Sequence, residues 1–278
     1  MQNESLAKIA VLMTCYNRVE KTLKCLDHLY NATVPENALV DIYLVDDNSP
    51  DQTGKIVKDK YPNVNVILGT GSLYWNRGMR LAWKKARQQR DYDFYLWLND
   101  DTYIYTNALQ SIFTDYYHLR NDGIEAIISG VCCDSISNEI SYGGRDRKYK
   151  FIVPNGLPQP CRYINGNFTL VSKKIFYKLT YFSNRYVHAA GDHDYGLRAK
   201  KKGFNCYVSS SVLAICSHGE DAVRNWLDPN VPLRKRIRNL FSIKGENCRD
   251  TMFFILKDSG FLKAFKYIII CTWKVLFP

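Results

Sequence analysis

Residues 43–49 read YLVDDNS and residues 95–101 read YLWLNDD: two short apolar runs, each followed by a pair of acids. Neither run alternates with polar residues, so each reads as a strand covered on both faces. Earlier in the chain, Ile9–Thr14 is a third run of the same kind. Between the runs the period changes. Val19, Leu23, Leu26 and Tyr30 recur at helical spacing, and Trp75–Gln89 forms a second amphipathic stretch. Ser49-Pro50-Asp51-Gln52 has the form of a helix start, with a capping Ser, Pro at the first helical position and Gln three residues after the cap. With strands over Asp41–Val45, Asn65–Leu68 and Phe94–Leu98, the first hundred residues alternate strand and helix. That alternation implies an α/β fold: a Rossmann-like, mostly parallel central sheet with right-handed crossovers, flanked by helices. Ligands on such sheets lie beyond the carboxyl ends of the strands, which is where both acid pairs fall.

The second half is less regular. Ala126–Val131 and Tyr163–Ser172 read as strands, Ser141–Asn155 as a loop with hairpin character, and Asp192–Lys202 as a helix capped by Gly203. From Leu233 onward Arg234, Lys235, Arg236 and Arg238 cluster, and Lys257, Lys263, Lys266 and Lys274 interleave with large apolar residues. The uncharged run Tyr267–Trp273 is far shorter than the roughly 20 residues of a spanning helix. Residues 223–278 therefore read as a basic amphipathic segment lying in a membrane interface, against the plainer reading of a helix packed on the core.

Composition is that of a globular chain, with 46% apolar and 23% charged residues. A net charge of +11 points to an anionic partner such as nucleotide phosphates, a phospholipid surface or nucleic acid. The basic residues concentrate among apolar ones after Leu233, which suits a lipid headgroup layer better than a duplex groove, so no nucleic-acid partner is expected. Nine cysteines without metal-type spacing fit a reduced, cytoplasmic chain with buried thiols. The N-terminus lacks a basic leader and a signal-peptide cleavage pattern.

Asp46-Asp47 and Asp100-Asp101 would repel an anionic ligand unless a divalent cation intervened. Mg²⁺ favours such a setting, with one or two carboxylates, waters and phosphate oxygens around it. Asp192 and Asp194 stand at a helix start, where the macrodipole also favours acids. Gly69-Thr70-Gly71 and Asn76-Arg77-Gly78 frame the segment entering the helix at Trp75, where backbone N–H groups and Arg77 can hold phosphate. Leu73, Tyr74 and Trp75 suit the wall of a sugar pocket or the core equally.

An ordered set of motifs then resembles glycosyltransferase family 2, with its GT-A fold, over roughly residues 8 to 220. The matching pieces are Thr14-Cys15-Tyr16-Asn17-Arg18, Val45-Asp46-Asp47-Asn48-Ser49, Gly69 through Gly78 and Ala82, Leu98-Asn99-Asp100-Asp101, Asn165-Gly166-Asn167-Phe168, and Gly191 through Arg198 ending at Gly203. The resemblance implies a catalytic domain over 1–222, with a nucleotide-sugar-binding half (1–105) and an acceptor-binding half (106–222). It implies a nucleotide-sugar site of Thr14, Tyr16, Asn17, Arg18, Asp46, Asp47, Asn76, Arg77, Asn99, Asp100 and Gly166. Asp101 takes the place of the main metal ligand, the last acid of the family's DxD motif. Asn99 replaces the first acid and offers a carbonyl oxygen in its stead. His218 fits either a late ligand of the Mn²⁺ or Mg²⁺ ion or a loop histidine. Asp192 falls where the family keeps its catalytic base, with Asp194 in reserve.

The expected activity is thus inverting transfer of a sugar from a UDP-, GDP- or dTDP-linked donor to a glycan or lipid-linked acceptor. Its expected setting is bacterial surface polysaccharide assembly at the inner face of the cell membrane. Two alternatives share parts of the pattern: a sugar-phosphate nucleotidyltransferase and a basic nucleic-acid-binding protein. The former usually carries a Gly-rich loop with Arg and Lys after the first strand, where this chain has Cys15-Tyr16-Asn17-Arg18.

Overall fold

The structure, a computed structural model, describes residues 6–217, 226–243 and 245–278. Its first half follows the expected alternation: β1 (Ala7–Cys15), α1 (Val19–Tyr30), β2 (Ala38–Asp46), α2 (Thr53–Lys60), β3 (Asn65–Leu68), α3 (Tyr74–Gln89) and β4 (Phe94–Leu98). The rest comprises β5 (Tyr103–Ile104), α4 (Ala108–Asn121), β6 (Ala126–Cys133), β7 (Ile140–Tyr142), β8 (Gln159–Pro160), β9 (Phe168–Ser172), α5 (Lys173–Leu179), α6 (Gly191–Lys201) and β10 (Asn205–Ile215). Among the described residues three further helices follow: α7 (Leu233–Phe241), α8 (Cys248–Ser259) and α9 (Phe261–Leu276).

The described strands join one sheet in the order β3-β2-β1-β4-β9-β6-β10-β5, with β7 on β6 and β8 on β10. β3, β2, β1 and β4 run parallel, as do β6 and β10, while β9 is antiparallel to both β4 and β6. Alternate side chains build two cores. Ile9, Val11, Met13, Phe94, Leu96 and Leu98 face α1 and α4. Ala10, Leu12, Tyr95 and Trp97 face α3, α5 and α6. At the centre of the second core Trp83 packs 5.1–5.7 Å, between ring centroids, from Tyr95, Trp97, Phe176, Phe182 and Tyr195. The nine cysteines are buried and unbridged.

Three differences from the sequence reading have local causes. Helix α2 begins at Thr53, not at Ser49, because the Asp46 carboxylate draws in the N–H groups of Ser49 (2.9 Å) and Gly54 (2.9 Å) and folds the intervening residues into a turn. The Ser49 hydroxyl instead accepts from the N–H of Asn17 (2.9 Å), which stands at φ +54°. Strand β9 starts at Phe168, since residues 163–167 turn around the Ser129 hydroxyl. Helix α1 buries Cys25, Leu26 and Leu29, leaving Tyr30 stacked on Tyr61 at the surface.

The C-terminal helices are not a loose appendage. Asp258 of α8 pairs with Arg162 and accepts from the Tyr163 hydroxyl, and Lys257 of α8 pairs with Asp194 of α6. Among the described residues no helix is long and apolar enough to cross a membrane.

Candidate active site

A cavity of about 230 Å³ opens at the carboxyl ends of the parallel strands. Of the expected residues it is lined by Thr14, Tyr16, Arg18, Asp47 and Asp100. Cys15, Gly71, Tyr74, Trp75 and His188 complete the lining. Tyr74 and Trp75, which the sequence left between pocket and core, therefore face the pocket. Close packing of α3 on β1 shapes the floor: a Cβ at Gly78 would collide with the Thr14 side chain.

Asp47 organises one wall. Its carboxylate accepts from the N–H groups of Gly71 (2.8 Å), Leu73 (2.8 Å) and Tyr74 (3.0 Å), fixing the turn into α3. Tyr74 is held at φ +54°, a costly backbone setting for a bulky residue, of the sort that clusters at ligand sites. Asn76, in contrast, is buried. Its amide donates to the carbonyls of Ser183 (2.9 Å) and Tyr186 (2.8 Å), so it anchors the segment before α6. Arg77 is half-buried, with its Nε lacking a partner among the described residues.

The acidic turn after β4 is tied to Arg18, whose Nη1 lies 2.7 Å from Asp101 Oδ2 and 3.4 Å from Asp100 Oδ1. Burial works against the Arg18 charge, but the two carboxylates outweigh it and raise its pKa. Burial, reinforced by the Asp101 charge and opposed by Arg18, pushes the Asp100 carboxyl up to about 7. Asp100 Oδ2 is buried without a hydrogen-bond partner among the described residues. An orphaned carboxylate oxygen beside a second carboxylate fits two donors of a divalent cation, leaving waters and diphosphate oxygens to complete the shell. The Asn99 Oδ1, which stands in for the missing first acid, accepts from Trp75 Nε1–H at 2.6 Å. His218 lies outside the described residues, among which no cluster of three or more metal-binding side chains occurs. Burial first, then the nearby aspartates, raises the thiols of Cys15, Cys25 and Cys216, so these sulfurs stay protonated beside the turn.

Trp75 links this turn to the second acid. Its ring lies where a Cβ of Gly166 would sit, and the Gly166 N–H donates to Asp192 Oδ2 (2.8 Å). Asp192 Oδ1 accepts from the N–H of His193 (2.7 Å). Each carboxylate oxygen keeps a further lone pair for an incoming hydroxyl. His193 Nδ1 lies 2.7 Å from the Ile164 carbonyl, which can only accept, so Nδ1–H donates there, and Nε2 shares a hydrogen bond with the Tyr149 hydroxyl (2.8 Å). Asp194 is placed otherwise. It is fully buried and bonded to Arg198 (2.8 Å), Lys257 and the Tyr186 hydroxyl (3.3 Å), which makes it an anchor for α8.

His188 is the residue that sequence reasoning missed. It follows the irregular stretch after α5, where no motif marks it. Asp250 of α8 accepts from the N–H groups of Val187 (3.0 Å) and His188 (3.4 Å), holding the imidazole at the cavity 6.2 Å, centroid to centroid, from the Tyr74 ring.

Solved structures share this architecture. The 1–349 fragment of S. aureus TarS matches with a TM-score of 0.58 at 16% identity, over 96% of this chain and 80% of that one. Mannosyltransferase PcManGT from Pyrobaculum calidifontis, solved in complex with GDP-Man and Mn²⁺, matches with a TM-score of 0.55 at 14% identity, over 97% of this chain and 80% of that one. The fold is that of the GT-A glycosyltransferases. Residues 10–180, more than half of the chain, match the sequence profile described as Glycosyl transferase family 2, and the chain belongs to that family. Hyaluronan synthase of Streptococcus pyogenes is 32% identical over 115 residues, 39% of this chain and 26% of the synthase. The match thus spans about a quarter of that relative's length.

Proposed function

We propose that the protein is an inverting glycosyltransferase that moves a sugar from a nucleotide-sugar donor to a hydroxyl of a glycan or lipid-linked acceptor. The observation that carries this reading is the position of Trp75. One side chain lines the cavity, bonds to Asn99 of the acidic turn and packs on Gly166, whose N–H holds Asp192. Trp75 thereby ties the acidic turn that borders the cavity to the segment that holds Asp192, which supports their acting together. TarS has been solved in complex with UDP-GlcNAc and PcManGT with GDP-Man, which supports a nucleotide-sugar as donor.

In the proposed reaction the acceptor oxygen attacks the anomeric carbon from the side of Asp192. The bond from that carbon to the diphosphate breaks, its electron pair leaves with the diphosphate, and the hydroxyl proton passes to Asp192. Two backbone N–H donors fix the carboxylate so that it meets the hydroxyl in one orientation. Of the residues that line the cavity, Asp47 would contact the nucleotide base and Thr14 and Arg18 would line its pocket, with Tyr16 beside them. Asp100 and Asp101 would hold Mn²⁺ or Mg²⁺, with His218 as a candidate further ligand. Such an ion supplies positive charge that stabilises the departing diphosphate. The reading extends to surface polysaccharide assembly, with the chain in the cytoplasm and its C-terminal helices in peripheral contact with the membrane.

Incubation with UDP-, GDP- and dTDP-sugars tests the reaction class. Release of nucleoside diphosphate, with inverted anomeric configuration in the product by NMR, is the expected result. Release of pyrophosphate would favour a nucleotidyltransferase instead.

A further inference from the structure

Helix α9 touches the rest of the protein along a single stripe. Ala264, Cys271 and Val275 are buried, and Tyr267 is half-buried beside them, donating to Glu246 (3.1 Å). At 3.6 residues per turn these four positions share one side of the helix. Leu262, Ile269 and Trp273 fall on the opposite side and are 80%, 52% and 62% exposed. Phe265 and Leu276 widen that face, also exposed. A contiguous apolar face of this size is unusual on a soluble surface and marks an interaction site.

The charges decide what covers it. Helix α9 contains Lys263, Lys266 and Lys274 and no acidic residue. Nearby in the same three-helix group, α7 exposes Arg234, Lys235 and Arg238. A second copy of the chain seated on this face would bring two such sets of cations together. An anionic lipid surface complements them, and lysines at the edge of an apolar face can extend to headgroup phosphates while their stems stay in the boundary layer. Among the described residues no helix, α9 included, is long and apolar enough to cross a membrane.

We propose that α9 docks in the plane of an anionic bilayer, its Leu262–Ile269–Trp273 face sunk to the headgroup boundary. This goes beyond peripheral contact in general by naming the helix, the face and the lipid charge, and its purpose rests on the transferase reading above. Helix α8 joins the docked helix to the active site. It leads directly into α9 through Gly260, and its Asp250 and Lys257 hold the His188 segment and Asp194. Docking therefore fixes the acceptor side of the site relative to the lipid surface, where a lipid-linked acceptor would present its sugar.

Flotation of the full chain with phosphatidylcholine–phosphatidylglycerol vesicles, and with pure phosphatidylcholine vesicles, tests the inference. Wild type is expected to float with the anionic vesicles and largely to remain behind with the neutral ones. The variant L262S/I269S/W273S should lose at least about tenfold in partitioning, since each large side chain contributes several buried carbons. The variant K263Q/K266Q/K274Q should lose the preference for phosphatidylglycerol. Both alter exposed positions, so thermal melts and nucleotide-sugar titrations should match wild type. A loss of nucleotide-sugar binding in wild type itself would count against the transferase reading and leave the lipid result standing. The proposal is overturned if wild type ignores anionic vesicles, or if the serine variant floats equally well. A wild-type dimer in sedimentation velocity that the serine variant dissolves would also overturn it, by assigning the face to a second copy.

Discussion

Lys257→Met asks whether α8 is built into the catalytic domain or merely follows it. Lys257 is the α8 partner of Asp194, a carboxylate with no exposed surface that also accepts from Arg198 and Tyr186. Removing one partner of a buried ion pair costs about 3–5 kcal/mol where the remaining charge is left uncompensated. Here Arg198 stays and the Lys257 side chain is 31% exposed, so solvent screening lowers the expected cost to about 2 kcal/mol. For a domain of this size that corresponds to a fall in Tm of roughly 4–8 °C. Circular-dichroism melts of wild type, K257M, D194N and the double variant complete a cycle in which the two positions should couple by about 1–2 kcal/mol. K257R should recover most of the loss. If K257M melts with wild type and the cycle shows no coupling, the tie between α8 and α6 contributes nothing and the α8 argument fails.

Three further outcomes follow from the site. Asp192→Asn should lower transfer by about 10²–10⁴-fold while calorimetry shows unchanged donor affinity, and an equal loss of donor binding would move Asp192 out of the base role. Gly166→Ala forces the Trp75 ring away from Asn99 and shifts Asp192, so turnover should drop by roughly 100-fold, with a stability cost of about 1–3 kcal/mol. Wild-type turnover in that variant would break the proposed link through Trp75. Arg18→Gln frees Asp100 and Asp101 from a part-exposed ion pair worth about 0.2–1 kcal/mol, so Mn²⁺ followed by electron paramagnetic resonance should bind up to about fivefold more tightly without nucleotide. Weaker Mn²⁺ binding would show that Arg18 supports the ion site and does not compete with it.

The parallel half of the fold was legible because its strands are buried on both faces and leave continuous apolar runs, and β3 and β4 fall on the residues read for them. The acid pairs could be placed at the strand ends for the same reason. Local competition was harder to read. Asp46 accepts from the N–H groups of Ser49 and Gly54 and so moves the helix start to Thr53, and the Asn99 amide oxygen accepts from Trp75, 24 residues away in sequence. Helix α4 was not read at all, although it buries Leu109, Ile112 and Phe113. His188 could not be found from sequence, because its place depends on Asp250, 62 residues further along. In the C-terminal segment the packing of α8 on the core agrees with the plainer of the two sequence readings, and α9 turns an apolar face outward.

The most direct test is a calorimetric titration of UDP, GDP and dTDP into wild type and Asp101→Ala, each with and without Mn²⁺. One nucleotide should bind wild type in a Mn²⁺-dependent manner and bind the alanine variant with little response to the ion. Failure of all three nucleotides to bind, or identical Mn²⁺-dependent binding in the two proteins, would contradict the assignment of this sheet edge.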